Sequence, residues 1–245
     1  MMKYKRILLK LSGGALSGSA GFGFEKDTLD YITDEIIALK ETGVELALLV
    51  GGGNIFRGRT AEDWGIERAE ADNIGMLATV INSLVLRGAL TAKGLAEPRV
   101  MTSIPMNAVA EPYIRLRAIH HLEKKYTVIF AGGIGQPYVT TDYPAVQRAI
   151  EIRADAVLMA KFGTDGVFSA PPKENPNVKR YKSITYDEVL KNKLEVADQS
   201  AFILARDYRM PIHIFDFFNE GSMQKICCGI ETGTSVSSDC QNVFY

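Results

Sequence analysis

Three glycine-bearing loops, each following a short apolar run, hold the residues of this chain that could do chemistry: Ser12-Gly13-Gly14, Gly51-Gly52-Gly53 and Gly132-Gly133-Ile134-Gly135. Consecutive glycines remove the side chains that would keep a ligand from the backbone, and the free N–H groups of such a turn form a cradle for anions. Arg57, just beyond the second loop, can add a bidentate fork to phosphate oxygens. A triple glycine alone fits a tight strand-to-helix turn as well as it fits a phosphate cradle; the three loops together favour a phosphate-transfer site. Lys10 lies near the carboxyl end of the first apolar run, RILLKL. In open α/β sheets ligands collect at the carboxyl ends of strands, which places Lys10 beside the loops rather than reaching solvent from an edge. Asp72 precedes a long apolar segment, where a carboxylate is either an ordinary helix cap or an acceptor for a ribose diol; pattern alone favours the cap. The third loop continues as Gln136-Pro137-Tyr138-Val139-Thr140-Thr141-Asp142. It offers an amide, an aromatic ring that could stack on a base, two hydroxyls and a carboxylate. Asp142 begins the next helix, and there a cap and a role in the site are compatible.

Stepping from the loops to their supports, apolar runs at 6–11, 45–50, 99–103, 127–131, 155–160 and 212–215 predict strands. Helical spacing predicts helices over 28–39, 74–90, 113–125, 143–152, 185–190 and 200–208, with a final helix and a short edge strand near 234–236. Residues 18–23 and 64–70 read as irregular, Pro171, Pro172, Asn175 and Pro176 as a surface loop, and residues past Ser237 as frayed. Strands alternate with helices, so the expected class is α/β with a mostly parallel central sheet.

With 47% hydrophobic and 23% charged residues, the 245-residue chain can bury a large core and fits a single domain. A net charge of −1 leaves no electrostatic footprint for nucleic acid or an anionic membrane. The apolar runs read as too short to span a bilayer, and Lys3, Lys5 and Arg6 lead straight into a strand pattern, so a cytoplasmic protein is expected. Cys227, Cys228 and Cys240 are odd in number and distant from the three histidines, which suggests neither a disulfide framework nor a zinc site. No G-x-x-x-x-G-K-[ST], no dinucleotide fingerprint and no protein-kinase motif set is present.

The motifs KLSG from Lys10, GGGN-x-x-RG from Gly51, ADN-x-GMLATV-x-N from Ala71, PYVTTD from Pro137 and TDGVFSA from Thr164 resemble those of the bacterial uridylate (UMP) kinases of the amino-acid kinase superfamily. The likeness runs from about Lys5 to Val236. It implies a three-layer α/β/α sandwich in one domain, with a UMP-binding lobe over about 5–145 and an ATP-binding lobe over about 146–236. The implied reaction is transfer of the γ-phosphoryl group of Mg-ATP to UMP, a step of pyrimidine nucleotide biosynthesis, in a homohexamer activated by GTP and inhibited by UTP. By the same resemblance Lys10, Leu11, Ser12, Gly13, Gly53, Arg57, Phe162, Phe168 and Pro171 would meet ATP, with Phe168 against the adenine. Gly52, Asp72, Ile134, Gly135, Gln136, Pro137, Tyr138, Val139, Thr140 and Thr141 would meet UMP, and this reverses the cap preference for Asp72. Lys10, Arg57 and Asp142 would serve catalysis, Asp142 by orienting Lys10. GTP would lie between subunits against Gly18, Ser19, Ala20, Gly21, Phe22, Gly23, Arg87 and Arg99. Asp198 matches a characteristic acidic position of the family, with its role open. Mg²⁺ would come with ATP, and no protein residue is assigned to it.

The chain departs from the family pattern at several positions. Ile134 and Gln136 replace a threonine and an asparagine, Gly14 a glutamate, Pro171 an aspartate, Phe162 an asparagine or threonine, and Thr91 a histidine found in some members. The changes at 162 and 171 bear on ATP affinity more than on the reaction. Two rival readings are a kinase for a small carboxylate or carbamate on the same scaffold, and a binding protein that kept the loops and lost turnover.

Overall fold

The computed structural model describes residues 2–170, 175 and 178–245; Pro171 lies outside the described residues. In chain order the elements are β1 (Arg6–Leu11), α1 (Lys26–Glu41), β2 (Glu45–Val50), α2 (Gly58–Asp63), α3 (Arg68–Ala92), β3 (Arg99–Thr102), β4 (Glu111–Pro112), α4 (Arg115–Glu123), β5 (Val128–Ala131) and α5 (Asp142–Glu151). They continue with β6 (Ala156–Lys161), β7 (Tyr181–Thr185), α6 (Tyr186–Lys191), α7 (Gln199–Asp207), β8 (Ile212–Asp216), α8 (Ser222–Cys227), β9 (Thr234–Ser237) and β10 (Val243–Phe244). One sheet runs in the order β10-β7-β9-β8-β6-β1-β2-β5-β3-β4. Its pairs are parallel except β8 with β9 and β10 with β7.

The central strands read as almost unbroken apolar runs because both sheet faces are covered. Alternation divides them: Ile7, Leu9 and Leu11 of β1 join Leu46, Leu48 and Leu158 in a core with Ile32 and Ile36 of α1 and Leu86 of α3. Leu8 joins Leu49, Phe130, Val157 and Met159 under Val146 of α5, Ala118 of α4 and Phe202 of α7. Each fully buried aliphatic or aromatic side chain contributes roughly 1.5–3 kcal/mol. Strand parity also decides where the charged residues point. Lys10 shares the face of Leu8, and Lys161, closing β6, shares the face of Val157 and Met159. Both lysines therefore face the layer that contains α5.

Several sequence expectations need correction. The long helix begins at Arg68 rather than residue 74, so Asp72 stands in its second turn and caps nothing; Glu67 holds the cap position. Residues 18–20, part of the stretch 18–23 expected to be irregular, belong to a 3-10 segment over Gly13–Ala20 that kinks at Gly18. β9 is an inner strand between β7 and β8, not an edge. The chain past Ser237 is not frayed, since β10 pairs with β7. β7 itself escaped the pattern because YKSIT carries only two buried residues. Contrary to the expectation that every apolar run falls short, α3 is long and apolar enough to cross a membrane by length and composition. It is a layer helix instead, with Ala78, Val80, Leu86 and Leu90 buried.

Candidate active site

The loops leaving β1, β2 and β5 converge at the carboxyl ends of these neighbouring parallel strands. Ser12, Gly52, Gly53, Arg57, Asp72, Ile134, Gln136, Val139, Thr140 and Thr141 all line one cleft of about 420 Å³. A Cβ on Gly13 would lie 2.4 Å from the Gly51 carbonyl oxygen and 2.6 Å from the Gly53 nitrogen, so the first two turns touch backbone to backbone. Gly53 opens onto free space, whereas Gly52 packs against the Gly75 carbonyl and Ala78 of α3. Leu11 is fully buried and contributes only backbone, accepting from the Gly51 N–H at 3.0 Å. Arg57 folds back to donate to the Gly53 carbonyl at 2.9 Å. Among the described residues this guanidinium has no ion pair.

Two supports were not singled out from the sequence. Asn54 and Asn82, both buried, exchange reciprocal amide hydrogen bonds of 3.1 and 2.6 Å. Asn82 also donates to the Gly51 carbonyl and Asn54 to that of Gly23, which fixes the triple-glycine turn from beneath. On the other side Thr79 Oγ1 accepts from the Gly132 N–H at 2.8 Å. Buried polar groups of this kind are costly unless paired, and here each has a partner.

Asp72 accepts from the Tyr138 N–H at 2.7 Å and pairs with Arg68 at 2.9 Å. Tyr138 has φ 67° and an exposed ring, so its backbone, not the aromatic face expected to stack on a base, is what the loop turns inward. Pro137 and Gly135 shape the same turn, Gly135 with φ 77° beside Ser103. Replacing Asp72 by Asn keeps an acceptor for Tyr138 but removes the charge. On the ribose role that the resemblance implies for Asp72, Asp72→Asn is expected to raise the apparent KM for UMP by about tenfold, the scale of one charge-assisted hydrogen bond, with that for ATP within about twofold. Steady-state kinetics with each nucleotide varied check this; early melting with unchanged kinetics would assign Asp72 a purely structural part.

The charged centre lies beside the cleft. Lys10 Nζ is 2.8 Å from Asp142 Oδ1, an ion pair with both side chains largely buried. Burial alone would raise the Asp142 carboxyl; the charges of Lys10 and Lys161 and the Asp198 N–H outweigh it and hold it below the usual carboxylate range. Burial, then the neighbouring charge of Lys10, pushes Lys161 below the ordinary lysine value, against the pull of Asp142 and Asp198. Lys161 was not singled out in the sequence. The signal was strand parity: it ends the strand beside β1 on the Lys10 face.

Asp198, whose role the sequence left open, joins the two sides. It accepts from the Thr140 hydroxyl and donates its N–H to Asp142 Oδ2 at 3.3 Å, and it lines a second hollow of about 430 Å³ with Asp142 and Lys161. Phe162 lies against the rings of Phe217 and Phe218, with centroids at 5.7 and 5.2 Å. Phe168 bridges to Arg180 across the same loop. Neither lines the main cleft. Arg87 and Arg99 share a separate groove of about 360 Å³. Gly18, Ser19, Ala20, Gly21, Phe22 and Gly23 lie elsewhere, with Ser19 on Glu25 and Gly23 on Asn54, and among the described residues no hydrogen bond or ion pair links the two regions.

An open, mostly parallel sheet with close-packed glycine turns and two lysines at its strand ends has the layout of a phosphotransferase site. Residues 5–216 match the model of the amino acid kinase family, and the chain belongs to that family, in its uridylate kinase branch. It is 59% identical over 238 residues to the uridylate kinase of Frankia casuarinae, covering 97% of this chain and 92% of the relative. The crystal structure of UMP kinase from Bacillus anthracis superposes with a TM-score of 0.96 at 55% identity, over 99% of both chains. That of UMP kinase from Ureaplasma parvum gives 0.90 at 30% identity, over 97% of this chain and all of the other.

Proposed function

We propose that this protein transfers the γ-phosphoryl group of ATP to UMP, giving UDP and ADP. The observation that carries the reading is the join of two half-sites: a cleft with Asp72, Arg57 and the 134–141 loop on one side, and Lys10, Asp142 and Lys161 on the other, coupled through Asp198. The small-carboxylate reading is not favoured, because the relatives are uridylate kinases at high identity and because Asp72 would repel a small acid. A coupled assay for ADP release with UMP, CMP and acetylglutamate tests the assignment; turnover with acetylglutamate alone would overturn it.

Phosphoryl transfer asks the protein for in-line positioning and for neutralisation of charge on the transferring group. A nucleoside monophosphate has a second pKa of about 6 and is already a dianionic nucleophile at neutral pH, so no general base is needed. We assign Lys10, Lys161, Arg57 and the amides of the first two glycine turns to the phosphoryl oxygens, with Asp142 pairing with Lys10 and favouring the charged form of Lys161. The 162–168 loop, with Phe162 and Phe168, receives the nucleoside of ATP, and residues before about 145 serve chiefly UMP. Among the described residues no group of three or more acidic, histidine or cysteine side chains is placed to hold a metal, and the Asp142 and Asp198 carboxylates are committed to internal partners. This donor set fits a Mg²⁺ carried in on ATP, held mainly by phosphate and water. Charge neutralisation on the triphosphate is the chemistry such an ion would supply when bound.

The assembly reading is a cytoplasmic homohexamer with GTP as activator and UTP as inhibitor. Ile74, Leu77 and Ile81 form an exposed apolar row on α3, which suits burial against a second copy. A triphosphate between subunits would draw Arg87 and Arg99 of one chain and the 18–23 loop of another to the same ligand. Because Thr91 stands where some relatives have histidine, activation is expected to be weak. UDP formation measured against GTP concentration, beside the mass in solution, checks both parts; a monomer indifferent to GTP would remove the regulatory reading and leave the kinase standing.

A further inference from the structure

The last residues of the chain are tied to the donor side by a dense set of contacts. In β10, Val243 lies opposite Ser183 and Phe244 opposite Tyr181. The Phe244 ring stacks on Tyr181 with centroids 4.2 Å apart, and Asn242 Oδ1 accepts from the Thr185 N–H at 2.8 Å. Tyr245 donates its N–H to the Arg180 carbonyl and its hydroxyl to the Gly233 carbonyl at 2.9 Å. Its ring lies on the Arg180 guanidinium, 3.9 Å from centroid to carbon. That guanidinium pairs with the Asp165 carboxylate and donates to its carbonyl, and Asp165 Oδ1 accepts from the Asp216 N–H at the end of β8. Two residues on, Val167 donates to Thr234 Oγ1 and accepts from the Tyr181 N–H, both at 2.8 Å.

We propose that the carboxyl-terminal strand positions the phosphoryl-donor loop: Tyr245, through Arg180, holds Asp165 and with it residues 162–168 in the conformation that receives the nucleoside triphosphate. A guanidinium with one face on an aromatic ring keeps its edge free for a carboxylate, and the stack removes much of the rotational freedom of its stem. The loop needs such a brace, because Gly163 and Gly166 both sit at positive φ and supply little stiffness of their own. Gly166 is also so close to Thr234 that a Cβ would stand 2.4 Å from Oγ1, so the loop is pinned there by β9, and at Asp165 by Arg180 and the Asp216 N–H. The acceptor cleft shares no residue with the tail. Tyr245 is therefore a positioning residue for one substrate only. The proposal rests on the reading that the 162–168 loop receives ATP.

The test uses the full chain with Tyr245→Ala, Tyr245→Phe, a truncation after residue 242 and Phe168→Ala, each followed by kinetics with ATP and UMP varied separately and by thermal melts with and without Mg-ATP. Tyr245→Ala and the truncation are expected to raise the KM for ATP by about fivefold, the scale of one cation–π contact. The KM for UMP and kcat should stay within about twofold, and the rise in melting temperature given by Mg-ATP should shrink. Tyr245→Phe keeps the ring on Arg180 and should behave like the parent. Were Phe168→Ala to raise the KM for ATP while the tail variants did not, the tail would have no positioning role and the donor-loop reading would stand. Were neither to raise it, the donor-loop reading would fail and the proposal with it. Equal rises for both nucleotides with a lower melting temperature would make the tail a general stabiliser and overturn the proposal.

Discussion

Lys10→Ala is expected to lower kcat by about a hundredfold, close to the 3 kcal/mol of one lost transition-state contact, while the fold survives. Loss of a partner from a buried ion pair commonly destabilises a protein by roughly 3–5 kcal/mol, because the remaining charge is stranded. Here it is not stranded: Lys161 also acts on Asp142, and removal of Lys10 takes away a charge that now lowers Lys161. Removal of Lys10 therefore favours the protonated form of Lys161, which remains to balance Asp142. Stopped-flow or coupled kinetics beside a thermal melt measure the two quantities. Turnover within a factor of three of the parent would remove Lys10 from the chemistry, and a collapsed melt would show that Lys161 does not compensate.

Asp142→Asn should cost a similar two orders of magnitude in kcat, roughly 3 kcal/mol, and should shift the alkaline limb in the direction opposite to Lys10→Ala, because Lys10 lowers Lys161 and Asp142 raises it. Lys161 already titrates below 10.5, mainly through burial and the charge of Lys10, with Asp142 among the few groups holding it up. Taking away that carboxylate pushes Lys161 lower still. Activity that needs the protonated amine falls as pH rises through its pKa, so the alkaline limb should begin below the ordinary lysine range in the parent and at distinctly lower pH in the variant. The acid side has the opposite sign. Asp142 is depressed in the folded state from its ordinary 3.8, so its contribution to stability is complete above about pH 4 and is lost as pH falls through the lower folded-state value. The variant lacks this dependence and should show less acid destabilisation. Superimposable alkaline limbs would sink the assignment of Asp142 as the group that keeps Lys161 charged.

The parts of the site that lie on contiguous motifs are legible in the chain, because three glycine turns after apolar runs together favour a phosphate cradle where any one of them would fit an ordinary turn as well. Lys10, Gly52, Gly53, Arg57 and the 134–141 loop could be read in this way, and the cleft does bring most of them together. Asp72 misled as a cap because a helix start is signalled by a few polar residues, and RAEADN offers several, of which Glu67 just before it holds the position. Lys161 was passed over because a lysine at a strand end is unremarkable until the sheet order is known; only the pairing of β6 with β1 sets it beside Lys10. Asp198 and Tyr245 are long-range partners, 58 residues from Thr140 and 65 from Arg180, and local periodicity has no access to such distances. The tail was read as frayed because NVFY is too short for a strand signal and its stability comes from Tyr181, Arg180 and Gly233.

The backbone contact between Gly13 and the Gly51–Gly53 turn bears on the thermodynamics of ligand capture. A loop that must order when its ligand arrives loses about 1–2 kcal/mol of backbone entropy per residue at that moment. Here the two turns are already wedged together, and Asn82 grips one of them from below, so that loss has been met during folding. Phosphate groups should therefore dock against amides that are already aimed, with an entropy change dominated by released water and little contribution from the chain.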